Sequence, residues 1–174
     1  LVGGGFDAGI RYNNIVEGDM VGVQVGPSMS SYVVATPEHW ARHGTPSTPR
    51  DLLGHRCIGF RYKSSGALER WMFVKDGKSL NVSPANHVVV INDIAAIVQA
   101  TLDGIGAAYI TSAYVERLIE SGRLVRVLHE WTASLPGLTL YYPDRRGVTP
   151  KLRALIDFLK EHREESAGVD AVLR

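Results

Sequence analysis

One cysteine, Cys57, is present among 174 residues, which excludes an internal disulfide and a zinc site built from cysteines. A lone thiol also agrees, weakly, with a reducing compartment. Long apolar runs are missing too. A stretch such as Val88 to Ile91 falls far short of the ~20 residues a membrane-spanning helix needs. Leu1 to Gly5 lacks the basic segment and apolar core of a secretory signal, so a cytoplasmic protein with no membrane partner is expected. Neither sign of charge is in excess: 19 Lys and Arg face 18 Asp and Glu, a net charge of +1. No global field therefore draws the chain onto nucleic acid or anionic lipid. The chain opens at Leu1 without Met and runs quickly into strand-like sequence, as a piece of something longer would. What is there, 45% apolar and 21% charged residues, is the composition of one globular domain or two small lobes.

Periodicity and turn chemistry divide the chain. Phe6 to Arg11 reads as a short buried strand between turns, and Val21, Val23 and Val25 alternate with Gly22 and Gln24 in a second one. Ser28 to Ser31 is a polar break before β-rich Tyr32 to Ala35. Thr36-Pro37 then opens a short helix closed by Gly44, and Thr48-Pro49-Arg50-Asp51 repeats the same start with Asp51 as a capping-box acid. Cys57 to Tyr62 reads as a strand leading into a polar loop. Asp76-Gly77 marks a hairpin between Trp71 to Val74 and Ser79 to Val82.

His87 to Ile110 is the clearest unit. The β-branched run Val88 to Ile91 suggests a parallel strand buried on both faces. Ile94, Ile97, Val98, Leu102 and Ile105 then recur at helical spacing, and Ala107 to Ile110 returns as a strand, which makes a βαβ crossover. A helix over Ala113 to Ser121, strands at Leu124 to Leu128 and Leu138 to Tyr142, and a last helix opened by Thr149-Pro150 complete an α/β pattern with a mixed sheet. From Glu164 on, the tail is polar and expected to fray.

Signals for catalysis are thin. Within a strand only His55 could share a side with Cys57, and a small buried core residue is the better account of that thiol. His39 and His43 share a helical face, but Glu38 precedes the pair, so the zinc-protease spacing is not met. Gly104-Ile105-Gly106 follows a helix where a dinucleotide fingerprint follows a strand, and a helix C-cap explains it. No catalytic residue, metal ligand or cofactor site is assigned.

Binding signals are better, because ligands of open α/β sheets sit beyond the carboxyl ends of strands. Ile91-Asn92-Asp93 joins the buried strand to its helix, either as such a place or as a plain N-cap whose carboxylate would repel an anion. Phe60-Arg61-Tyr62-Lys63-Ser64-Ser65 gathers cations, aromatics and hydroxyls at another strand end, as a binding edge or as a solvated loop. The planar fork of Arg61 suits a carboxylate.

These pieces, taken in order, resemble a known family. Gly5-Phe6-Asp7-Ala8-Gly9-Ile10-Arg11, Val34-Ala35-Thr36-Pro37, His43-Gly44-Thr45-Pro46 and Pro49-Arg50-Asp51-Leu52-Leu53-Gly54-His55-Arg56-Cys57-Ile58 are similar to the effector-binding domain of LysR-type transcriptional regulators. Trp71-Met72-Phe73, Asn92-Asp93, Asp103-Gly104-Ile105-Gly106, Gly122-Arg123-Leu124-Val125 and Leu152 to Leu159 continue the series over nearly the whole chain. The resemblance implies an α/β, two-lobed, periplasmic-binding-protein-like fold with mixed sheets and an incomplete first lobe. On that template residues 1–31 and 132–174 belong to the first lobe and residues 32–131 to the second, with the winged helix-turn-helix and linker helix preceding Leu1. A small-molecule effector, a carboxylate or an aromatic, would sit between the lobes against Arg61, Tyr62, Ser64, Asn92, Asp93 and, less strongly, Thr111. Effector binding would alter a dimer or tetramer, and promoter DNA would be touched only through the preceding domain. A solute-binding protein of a transport system and an enzyme using Cys57 are the alternatives from other classes.

Overall fold

The computed structural model describes residues 6–12, 19–63, 65–84, 86–135, 137–143 and 148–162. In chain order the elements are β1 (Gly9–Tyr12), β2 (Met20–Gln24), β3 (Met29–Ala35), α1 (Pro37–His43), a 3-10 helix (Pro49–Gly54), β4 (Cys57–Phe60), β5 (Trp71–Lys75), β6 (Lys78–Val82), β7 (His87–Ile91) and α2 (Ile94–Leu102). There follow β8 (Ala108–Thr111), α3 (Glu116–Glu120), β9 (Val125–Val127), β10 (Ser134–Leu135), β11 (Leu138–Pro143) and α4 (Pro150–Glu161). No helix among the described residues is long and apolar enough to cross a membrane.

The chain divides into two compact units, one holding the described residues up to Met29 and from Ser134 on, the other Ser30–Ala133. In the first, β11 runs between β1 and β2, antiparallel to both. Leu140 and Tyr142 alternate onto one side of β11 and meet Leu152 and Ile156 of α4, so the stripe at helical spacing is buried against the stripe at strand spacing. Thr149 caps α4 by accepting from Leu152 N, with Pro150 at the first position. The expected buried strand over Phe6 to Arg11 is corrected here. It begins at Gly9, and Phe6 and Ile10 are exposed, 67% and 49%.

The second unit is built around β3, which pairs antiparallel with β8 (Val33 opposite Tyr109) and with β9 (Val34 opposite Arg126). The strand starts at Met29, inside the expected polar break, because ladder pairing at Ser31 outweighs the weak propensity of serine. Period-2 alternation sorts its side chains. Val33 and Ala35 join Trp40, Cys57, Trp71 and Tyr109 on one side, while Val34 joins Ile58, Ile97, Ala108 and Ile110 on the other. β4 and β7 are parallel, Ile58 opposite Val89 and Phe60 opposite Ile91. Ile58 N donates to Ala107 O at 2.8 Å and Ala107 N to Arg56 O at 2.8 Å, so the crossover from β7 through α2 to β8 passes over β4. As the outer strand of this group β7 is only half-buried, with Val90 38% exposed. That corrects the expectation of burial on both faces.

Local starts and stops follow the side chains. Thr36 accepts from His39 N at 3.2 Å to begin α1, and Asp51 accepts from Thr48 N at 2.8 Å and Ser47 N at 2.9 Å. Asp76 and Gly77 both take positive φ, 51° and 72°, as a tight hairpin between β5 and β6 requires. The helix expected over Ala113 to Ser121 is split into a 3-10 turn, Ser112–Tyr114, and the five-residue α3. Val115, fully buried, sits at the break.

Candidate functional site

β4, β7 and β8 point the same way, so their carboxyl ends lie along one edge of the second unit. The chain leaving β4 stays paired one residue further, Arg61 N donating to Ile91 O at 2.8 Å. This sets Arg61 beside the Asn92-Asp93 turn. Thr111 closes β8 opposite Ser31 of β3. The pairing thus brings Arg61 and Tyr62 beside Asn92 and Asp93, with Thr111 at the same-pointing end of β8, which meets β4 at the Cys57–Ala107 bridge; Ser64 lies outside the described residues.

The segment after β4 is folded back on itself. Tyr62 N donates to Ala67 O at 3.0 Å, Gly66 N to Tyr62 O at 2.8 Å and Glu69 N to Phe60 O at 2.9 Å. The Arg61 side chain is exposed and its Nη1 donates to Gly66 O at 2.7 Å, so part of its fork is already engaged with the loop's own backbone. Tyr62, 41% exposed, sets its ring edge-on to Phe60 at 5.3 Å and donates its hydroxyl to Glu69 Oε1 at 2.9 Å. Burial, with the Glu69 carboxylate as a second cause, pushes the Tyr62 phenol up; burial likewise raises Glu69. Burial also raises Tyr109, to about 12, and the Glu69 charge adds to it.

Asp93 is the N-cap of α2, accepting from Ala96 N at 3.0 Å. The N-cap role was one of the two expected for this turn, and the carboxylate occupies donors an anion would need. Asn92 is exposed and Thr111 half-buried. Behind the edge Tyr109 stacks on Trp71 at 5.5 Å and donates to Met72 O at 2.7 Å. Glu69 and Tyr109 were not singled out in the sequence. Glu69 reaches the edge only because the loop doubles back, and Tyr109 looks like any aromatic in a strand.

Of the other candidates, Cys57 and His39 are core, His55 is half-buried and His43 is exposed. Cys57 is fully buried, its Sγ 3.7 Å from Leu52 O, and burial pushes the thiol up to about 12. His55 stands before β4, with its ring 5.8 Å from that of Trp40. His39 and His43 do share a face, ring centroids 4.7 Å apart. Among the described residues no three His, Cys, Asp or Glu side chains are grouped to hold a metal.

Residues 1–164 match the LysR substrate binding domain. The chain is 40% identical over 160 residues to the uncharacterized HTH-type transcriptional regulator YcaN of Escherichia coli, covering 92% of this chain and 51% of that protein. It is 34% identical to the HTH-type transcriptional regulator PgrR of the same organism, over 89% of this chain and 52% of the relative. The chain spans about half the length of these relatives. Among solved structures, the CrgA regulatory domain of Neisseria meningitidis superposes with a TM-score of 0.70 at 24% identity, covering 94% of this chain and 78% of that one. The full-length virulence activator AphB of Vibrio cholerae gives 0.71 at 18% identity, over 91% and 52%. The fold is that of LysR regulatory domains, and the chain belongs to the LysR substrate-binding domain family.

Proposed function

We propose that this chain is the effector-sensing part of a LysR-type transcriptional regulator and takes a small molecule at the carboxyl edge of β4, β7 and β8. The observation that carries this is the Arg61 N to Ile91 O pairing, which brings two strand ends separated in sequence to one place, with Thr111 at the end of a third. An aromatic portion of the ligand fits the exposed ring of Tyr62. A carboxylate is the poorer fit, since Arg61 already donates to Gly66 O and Asp93 occupies the helix start. No catalytic step is assigned. Ligand binding biases a dimer or tetramer of the whole regulator in the cytoplasm through differential affinity for its arrangements. Promoter DNA is bound by sequence beyond this chain.

A thermal-shift screen of small aromatic acids, alcohols and amines tests the edge, because a ligand that binds only the native state raises its stability. A compound that raises the melting midpoint of the wild type but not of Tyr62→Ala or Asn92→Ala supports it. A compound whose shift survives both substitutions places the site elsewhere.

A further inference from the structure

The groups at the edge differ in how they are held. Arg61, Lys63, Arg70 and Asp93 are exposed, whereas Glu69 is half-buried. It is fixed by its backbone bond to Phe60 O and by the Tyr62 hydroxyl on Oε1. No described lysine or arginine forms an ion pair with it. A partly desolvated carboxylate with a phenol donor on one oxygen retains acceptor capacity for a charged donor. Beside it stands the ring of Tyr62, edge-on to Phe60. A half-buried carboxylate with one oxygen held by a phenol hydroxyl is suited to an organic ammonium group and repels a carboxylate.

We propose that the effector taken at this edge carries a protonated amine next to an aromatic or aliphatic body, the ammonium received by Glu69 and the body lying against Tyr62. This deepens the effector-binding proposal and rests on it. It also reverses the polarity that Arg61 alone suggests: the guanidinium is turned to the loop backbone, and the half-buried charge at the edge is negative.

Three probes of matched shape separate the possibilities: 2-phenylethylammonium, 2-phenylethanol and 3-phenylpropionate, titrated into the chain at pH 7 and followed by amide chemical shifts in NMR. The expected result is that the ammonium binds about tenfold or more tightly than the alcohol, the factor of a charged hydrogen bond, with shifts centred on residues 60–69. Glu69→Gln, which can still accept from Tyr62, should erase that preference and leave the alcohol unchanged. Tyr62→Ala should weaken the ammonium and the alcohol alike. If 3-phenylpropionate binds tightest and Glu69→Gln strengthens it, the edge is a binding site and the ammonium inference fails. If no probe shifts residues 60–69, 92–93 or 111 at millimolar concentration, the ammonium inference and the edge reading fail together.

Discussion

The guanidinium carbon of Arg126 lies 3.7 Å from the centroid of the Tyr32 ring, and the same guanidinium donates to Thr132 Oγ1. Register explains the meeting. Arg126 opposes Val34 across the β3 and β9 pair, so Tyr32, two residues along on the same face, is its diagonal neighbour. Thr132 in turn donates to His129 O at 2.9 Å, so one side chain ties β3 to the turn after β9. Arg126→Ala should lower stability by about 1–2 kcal/mol, combining a partly shielded cation–π contact and a charged hydrogen bond. Arg126→Lys should recover less than half of that, since an ammonium cannot both stack and donate in the same plane. Urea unfolding followed by tryptophan fluorescence measures both. A double-mutant cycle with Tyr32→Leu should leave a coupling of about 0.5–1 kcal/mol; zero coupling would remove the stacking account.

His39 sets a pH dependence. Its ring is buried, 4% exposed, with neither nitrogen hydrogen-bonded, and packs on Trp40 and His43 at 5.1 and 4.7 Å. Burial first, and the nearby cations His43, His55, Arg56 and Arg42 second, bring its pKa down from 6.5 to about 4. The unfolded chain therefore binds more protons than the folded one between those values. Stability is retained above about 6.5 and falls progressively as the pH drops toward 4. His55 and His87, also lowered by burial, act in the same direction. The urea midpoint should decline from pH 7 to pH 5 in the wild type and less steeply in His39→Leu. Equal slopes would mean that the imidazole is hydrated after all.

Gly104 and Gly106 are constrained for different reasons. Gly104 has φ +71° with no close obstacle, so its demand is for the left-handed backbone that follows a helix. A Cβ on Gly106 would stand 2.9 Å from the backbone oxygen of Arg56, the oxygen that accepts from Ala107 N where β4 meets the start of β8. Gly104→Asn should cost less than about 1 kcal/mol, because asparagine tolerates that region. Gly106→Ala should cost about 1–3 kcal/mol by forcing the strands apart. Thermal denaturation of both variants settles the order, and the reverse ranking would contradict the geometry.

Much of this was readable along the chain because the signals were local. Thr36-Pro37, Asp93 and Thr149-Pro150 each begin a helix with the expected cap, and Asp76-Gly77 makes the expected turn. What stayed hidden depended on pairing at a distance. Nothing near Val88 says whether its strand is central or an edge, so the run alone does not fix how deeply it is buried. Nothing near Ser28 to Ser31 shows that the β3 ladder extends through the last of them. At the site, strand ends follow from the βαβ pattern, whereas the return of Glu69 to Tyr62 requires a backbone bond from Phe60 across nine residues that no periodicity encodes.

Cys57 offers the sharpest test of the packing around β4. Its side chain is fully buried in the cluster with Trp40, Leu52 and Trp71, and a thiol raised to about 12 by burial alone is almost wholly protonated at pH 8. Since the thiolate is the nucleophile, a disulfide reagent should modify the native chain only as fast as local or global opening exposes the sulfur. In denaturant one equivalent should react at once. Cys57→Ala should fold with a loss of about 1–2 kcal/mol, from the buried sulfur's transfer term and a small cavity, and should bind edge ligands as the wild type does. Full labelling of the native protein within seconds would instead mean an accessible, activated thiol, and would reopen the case for chemistry at this position.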